Sequence, residues 1–121
     1  MLYFNITFYM FAKKKIVAFK HYYQEFMEKL TDDERSKIRR ALLLLETEEK
    51  IPYHYIKYIR DGIYEFRVTY RTLEFRIMHM YDGNRVIILL NCFCKKTQKT
   101  PHKEIEKALR LKKEYYETYG K

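Results

Sequence analysis

The sequence predicts a small α+β domain with a mostly antiparallel sheet. An N-terminal strand, a helical hairpin and a C-terminal helix surround three further strands, in the order βααβββα. Three observations carry this prediction. Three strand-length runs follow one another between Ile63 and Cys94. A capping box opens a helix at Thr31. A Thr-Pro start and a glycine stop bracket the charged tail from Thr100 to Gly120. All 121 residues are expected to form one domain around one core: 47% are apolar, only five are Gly or Pro, and neither a repeat nor a linker-like stretch interrupts them.

The N-terminal MLYFNITFYMFA is rich in Tyr, Phe, Ile and Thr and reads as the first strand. It is short for a membrane span, and its lysines, Lys13 to Lys15, follow the apolar stretch where a signal peptide would carry them before it. A cytoplasmic protein is therefore expected, without membrane association. Residues 18–30 read as a helix with Phe19, Tyr22, Tyr23, Phe26 and Leu30 on one side. Thr31-Asp32-Asp33-Glu34 then has the spacing of a capping box, in which hydroxyl and carboxylate satisfy each other's backbone amides. The second helix is expected to reach Glu49, with Ile38, Ala41, Leu42 and Leu45 as its apolar stripe.

Pro52 ends the hairpin. Ile51 to Gly62 reads as a connector with room for one short strand or turn at 56–59, and Asp61-Gly62 is a turn signal. Ile63 to Thr69 alternates, with Ile63, Glu65, Arg67 and Thr69 on one face and Tyr64, Phe66 and Val68 on the other. Leu73 to Met80 does the same, with Glu74, Arg76, Met78 and Met80 opposing Leu73, Phe75, Ile77 and His79. After the turn at Asp82-Gly83-Asn84, Arg85 to Cys94 is apolar on both faces, as in a strand covered on both sides. Thr100 is expected as N-cap of the last helix, Pro101 as its first residue and Gly120 as its stop.

Charge is the strongest global signal. Lys and Arg number 25 against 16 Asp and Glu, a formal +9, and from Lys95 onward nine cations face four glutamates. Such a segment suits a polyanion, most often a nucleic acid; a solubilising surface is the reading that charge alone leaves open. The 13 tyrosines can stack on unpaired bases or fill the core. Cys92 and Cys94 are spaced too closely for a good disulfide and have no second ligand pair for a metal, so they read as small buried thiols in a reducing compartment.

The stretch CKKTQKTPHKEIEKA, residues 94–108, places a strand end, three lysines and a helix start in succession. Free helix N–H groups beside lysines make a reasonable phosphate site. Arg67 and Arg76 sit mid-strand on neighbouring strands, where in suitable register their guanidinium groups share a face. The alternative for each is a solvated face or a bridge to Glu65 or Glu74. His79 has the right chemistry for proton transfer, but Phe75 and Ile77 on its strand face favour a packed histidine. His54 lies in the connector and His102 at the helix start.

On DGIYEFR (61–67), FRIMHMYDGNRVIILL (75–90) and above all FCKKTQKTPHKEIEKA (93–108), the chain resembles the RelE/ParE toxin superfamily, in its HigB-like, phage-derived branch of type II toxin–antitoxin systems. The resemblance implies a RelE-like fold and a ribosome-dependent mRNA endoribonuclease. The 2′-hydroxyl attacks the adjacent phosphate without a metal or other cofactor. It further implies a cognate antitoxin, often of helix-turn-helix type, and a toxin that alone is monomeric. By position it assigns catalysis to Arg67, Arg76, Lys95 and Lys96, and RNA contacts to Tyr64, His79, Gln98 and Lys99. Two departures stand out. Asn91-Cys92-Phe93 replaces the family's frequent His-Gly-Phe, and Tyr70-Arg71-Thr72 replaces its glycine-bearing turn. Same-fold toxins that act on DNA gyrase, and noncatalytic RNA-binding modules, are the competing readings.

Overall fold

The computed structural model describes residues 14–95 and 99–120. Strand β1 (Lys15–Ala18) leads into helices α1 (Tyr22–Glu28) and α2 (Asp32–Thr47), and a single 3₁₀ turn follows at Tyr53–Tyr55. Strands β2 (Ile56–Arg60), β3 (Ile63–Tyr70), β4 (Leu73–Asp82) and β5 (Val86–Lys95) follow, and helix α3 (His102–Tyr119) closes the described chain. The five strands form one sheet in the order β1-β5-β4-β3-β2. Only the β1–β5 pair is parallel. The expected α+β class holds.

Several expectations need correction. The predicted first strand, residues 1–12, lies outside the described residues. The strand that pairs with β5 is instead Lys15–Ala18, in the register Lys15 to Val86 and Ala18 to Leu89. The first helix begins at Tyr22 rather than Ala18, because Lys20 turns the chain with φ +62. That turn sends Phe19 to the other side of the sheet, edge-on to Tyr115 at 5.4 Å. The short strand expected in the connector at 56–59 is present as the edge strand β2, one residue longer. Thr100 does not cap α3; Pro101 occupies the N-cap, and no side chain caps this end.

Other local signals translate directly. Thr31 Oγ1 accepts from the Glu34 amide at 3.2 Å, and the Thr31 amide donates to Glu34 Oε1 at 2.9 Å. Ile38, Ala41, Leu42 and Leu45 are all buried. Gly120 ends α3 in the left-handed region.

The sheet is covered on both faces. On one face, Met27 of α1 and the buried stripe of α2 pack on Phe66, Val68, Phe75, Ile77, Ile87 and Leu89. On the other, Ala108, Leu111 and Tyr115 of α3 pack on Ile63, Met78, Met80, Ile88 and Leu90. This explains why β5 is apolar throughout: it is an interior strand with a helical layer on each side. Its register with β4 shifts between Ile77, opposite Cys92, and His79, opposite Leu89. Two residues of β5, Leu90 and Asn91, therefore oppose the single Met78, as in a β-bulge. Leu90 joins the α3-side core, and Asn91 Nδ2 donates to Glu104 Oε1 at 2.9 Å and Glu104 O at 3.1 Å. Asn91 thus ties β5 to the first turn of α3.

Two tight turns set the register of the strands that frame the site. Asp61 and Gly62 both have positive φ, +50 and +80, the pattern of a type I′ hairpin turn. At the β3–β4 turn Arg71 takes φ +55, the left-handed backbone that a glycine would adopt without strain. A Cβ at Gly62 would meet Lys112 Nζ at 2.8 Å, and that amine donates to Asp61 O. Lys112 can swing aside, so the cost of Gly62→Ala is chiefly backbone strain. The substitution is expected to destabilise the protein by about 1–2 kcal/mol in urea unfolding; an unchanged midpoint would mean the hairpin does not need this geometry.

Candidate functional site

At one end of the sheet, on the α3 face, a charged cluster is assembled from four segments. Arg67 of β3 lies directly opposite Arg76 of β4. Arg76 lies opposite Phe93 of β5, and Glu74 opposite Lys95. Directly opposed residues of antiparallel strands project from the same face, so the two guanidinium groups do share a face as the register condition required. Like charges so placed repel each other unless an anion sits between them.

That anion is Glu65, which is 0% exposed. Its Oε1 accepts from Arg67 Nε at 3.1 Å and lies 3.5 Å from Arg76 Nε. Its Oε2 accepts from Thr100 Oγ1 at 2.6 Å. One carboxylate thus joins β3, β4 and the segment entering α3. This is why the Thr100 hydroxyl is absent from the helix cap.

Arg76 is only 5% exposed. Its Nη1 donates to Phe75 O at 3.0 Å and its Nη2 to Glu74 Oε1 at 2.5 Å. Arg67 is more open, with 29% of its side chain exposed. Lys95 is half-buried on the same face. Burial lowers its pKa first, and the positive charges of Arg76 and Arg67 lower it further, against the opposing pull of Glu65 and Glu74. The bridging and shared-face readings of the arginines are both realised: the guanidinium groups converge, and carboxylates hold them there.

The other predicted site residues fall elsewhere. Lys96 and Gln98 lie outside the described residues. Lys99 is exposed just before α3. Tyr64 projects from the opposite face of the sheet, where its ring stacks on His79 at 5.8 Å and meets Tyr58 and Tyr81 edge-on, both at 5.1 Å. His79 is 0% exposed on that face, enclosed by Tyr64, Phe66 and Tyr81. Its assignment as an RNA contact is therefore corrected: no ligand reaches a ring so buried. Desolvation lowers its pKa to about 4. His54 packs against Tyr55 in the 3₁₀ turn, and His102 is exposed with Nε2 3.5 Å from Glu106 Oε1. The thiol prediction also changes. Cys92 is half-buried and desolvation pushes its pKa up, but Cys94 is exposed; both are free.

Glu65 is the residue the sequence reading passed over as a site residue. Its signal was present: it shares an alternating face with Ile63 and Arg67, where a carboxylate is buried only if cations accompany it.

A family model described as "Phage derived protein Gp49-like (DUF891)" matches residues 25–113, which includes every described member of this cluster. The chain belongs to this family. Gp49-like proteins are a RelE/ParE-like toxin family of toxin–antitoxin systems, so the chain is a toxin-like protein. No curated protein matches it. Among the described residues, no helix is long and apolar enough to cross a membrane.

Two predictions follow from this arrangement in the Gp49-like chain. Glu65→Ala leaves Arg76 buried beside Arg67 without its shared counter-ion, and is expected to cost about 3 kcal/mol or more in denaturant unfolding. A loss below about 1 kcal/mol would show that the cluster holds without Glu65. His79 supplies a pH dependence. Its folded pKa lies below the unfolded value near 6.5, so the unfolded chain takes up the proton first on acidification. The stability conferred by the neutral ring is complete above pH ~6.5 and declines as pH falls toward 4. Between pH 7.5 and 4.5 wild type should lose roughly 2–3 kcal/mol more than His79→Phe. Equal losses in both proteins would remove His79 as the source.

Proposed function

We propose that this Gp49-like toxin is a metal-independent endoribonuclease of the HigB-like kind that cuts mRNA on the translating ribosome. The observation that carries the reading is the convergence of Arg67, Arg76 and Lys95 on one face, beside the lysine-rich approach to α3. Two arginines paired with the buried Glu65, with Lys95 on the same face, suit a phosphodiester that gains charge in the transition state.

In this mechanism the RNA 2′-oxygen attacks the neighbouring phosphorus in line with the P–O5′ bond. The new O2′–P bond forms as the P–O5′ bond breaks, leaving a 2′,3′-cyclic phosphate and a 5′-hydroxyl end. One group takes the 2′-hydroxyl proton and another protonates O5′. Arg67 is the accessible clamp on the phosphoryl oxygens. Arg76 lies beside it, and its Nη2, now paired with Glu74, is the edge that faces the phosphate. Lys95 is the favoured proton-transfer group, since a lysine with a lowered pKa exchanges a proton more readily near neutrality. Lys96, Gln98 and Lys99 are assigned to the RNA or ribosomal RNA backbone. Tyr64 and His79 have no part, because they face the other way. A helix-turn-helix antitoxin is the proposed neutralising partner, and the free toxin is proposed to be monomeric and cytoplasmic.

The close pairing of Arg76 with Glu65 and Glu74 also fits a second reading, in which the cluster is an internal brace and the toxin acts on gyrase through protein contacts. Mapping mRNA 5′ ends after brief induction separates the two. Wild type should create new ends inside translated codons, and Arg67→Ala and Lys95→Ala should each reduce them about a hundredfold or more. Growth arrest without new ends would overturn the nuclease reading in favour of the second.

A further inference from the structure

The guanidinium of Arg76 is held from within the fold. Nε is buried 3.5 Å from the inaccessible Glu65 Oε1, an ion pair without a hydrogen bond, and Nη1 donates to the backbone oxygen of Phe75. Only Nη2 faces a partner that can leave: Glu74, whose side chain is 49% exposed. Glu74 also stands opposite Lys95, and its charge acts on that lysine. An anion on the solvent side of Arg76, flanked by Lys95, occupies the position that best suits a phosphate oxygen.

We propose that Glu74 is a resident anion in this site, which a nucleic-acid phosphate must displace to reach Arg76. The inference rests on the RNA reading above and adds a residue that controls entry. Arg76 need not move for the exchange. Glu65 and Phe75 O hold the guanidinium plane, so one oxygen acceptor on Nη2 replaces another. The exchange sets a threshold: an isolated anion gains one contact and loses one. A polynucleotide also engages Arg67 and Lys95, and these additional contacts offset the loss of the Glu74 pair. Glu74 thereby favours an extended phosphate backbone over small anions.

The test is direct binding of a short fluorescein-labelled 2′-O-methyl oligoribonucleotide of mixed sequence, which lacks the attacking hydroxyl and is not cleaved. Wild type, Glu74→Gln, Arg76→Ala, the Glu74→Gln/Arg76→Ala double variant and Glu49→Gln are compared by anisotropy at one salt concentration. Glu49 is exposed beyond the end of α2 and controls for the added net charge. Glu74→Gln is expected to tighten binding about five- to tenfold, the scale of one competing charge-assisted contact, and the gain is expected to vanish without Arg76. Inorganic phosphate should compete more strongly against the oligonucleotide on Glu74→Gln than on wild type. The proposal is overturned if Glu74→Gln binds no tighter than Glu49→Gln, or if the gain persists in the double variant. Arg67→Ala and Lys95→Ala separate the two levels. If they leave binding intact, the RNA reading fails and this proposal with it; if they weaken binding while Glu74→Gln brings no gain, the Glu74 assignment alone fails.

Discussion

The arrangement at the sheet end depends on one buried carboxylate. Arg67 and Arg76 oppose each other across β3 and β4, and two guanidinium groups in that register repel. Glu65 makes the register tenable by lying between them, and its second oxygen accepts a hydrogen bond from the Thr100 hydroxyl. A buried ion cluster of this kind is weak as a source of stability, because desolvation offsets much of the attraction. Its contribution is to position: two cations are held without rotamer freedom, and the entry to α3 is fixed beside them.

The sheet separates two chemistries by face. On the α1–α2 side, Tyr58, Tyr64, Phe66, His79 and Tyr81 form a connected group of rings around a neutral imidazole. On the α3 side, the ions gather where the apolar contacts of α3 give way to its uncapped start. The bulge at Leu90 and Asn91 serves this second face. It directs an apolar side chain and an amide to the same side, so that Leu90 extends the core while Asn91 anchors Glu104. His79 lies on the other face and Asn91 does not titrate, so the proposed nuclease reading rests its proton transfer on Lys95.

Much of this was legible in the residues. The capping box, the stripe of α2, the Asp61-Gly62 turn and the alternation of β3 and β4 are local patterns, and each has its expected form. The basic cluster was legible in part. Arg67, Arg76 and Lys95 could be named because strand alternation limits which side chains share a face. Glu65 was named only as a possible bridge and not as a site residue, because its burial depends on two partners on other segments, Arg76 and Thr100. Tyr64 and His79 were attractive by side-chain chemistry alone, which carries no information about the aromatic packing that encloses them on the other face of the sheet.

By itself, the sequence determined the class of fold, the positions of most helices and turns, and the excess of positive charge, since all of these follow from short-range spacing and composition. Only the tertiary structure decided the rest. The parallel pairing of β1 is a long-range contact with no local signature in four residues. The bulge in β5 was invisible because a strand apolar on both faces has no alternation to break. The union of Glu65 with Arg67, Arg76 and Thr100 exists only once strand register and the docking of α3 bring distant residues within hydrogen-bonding reach.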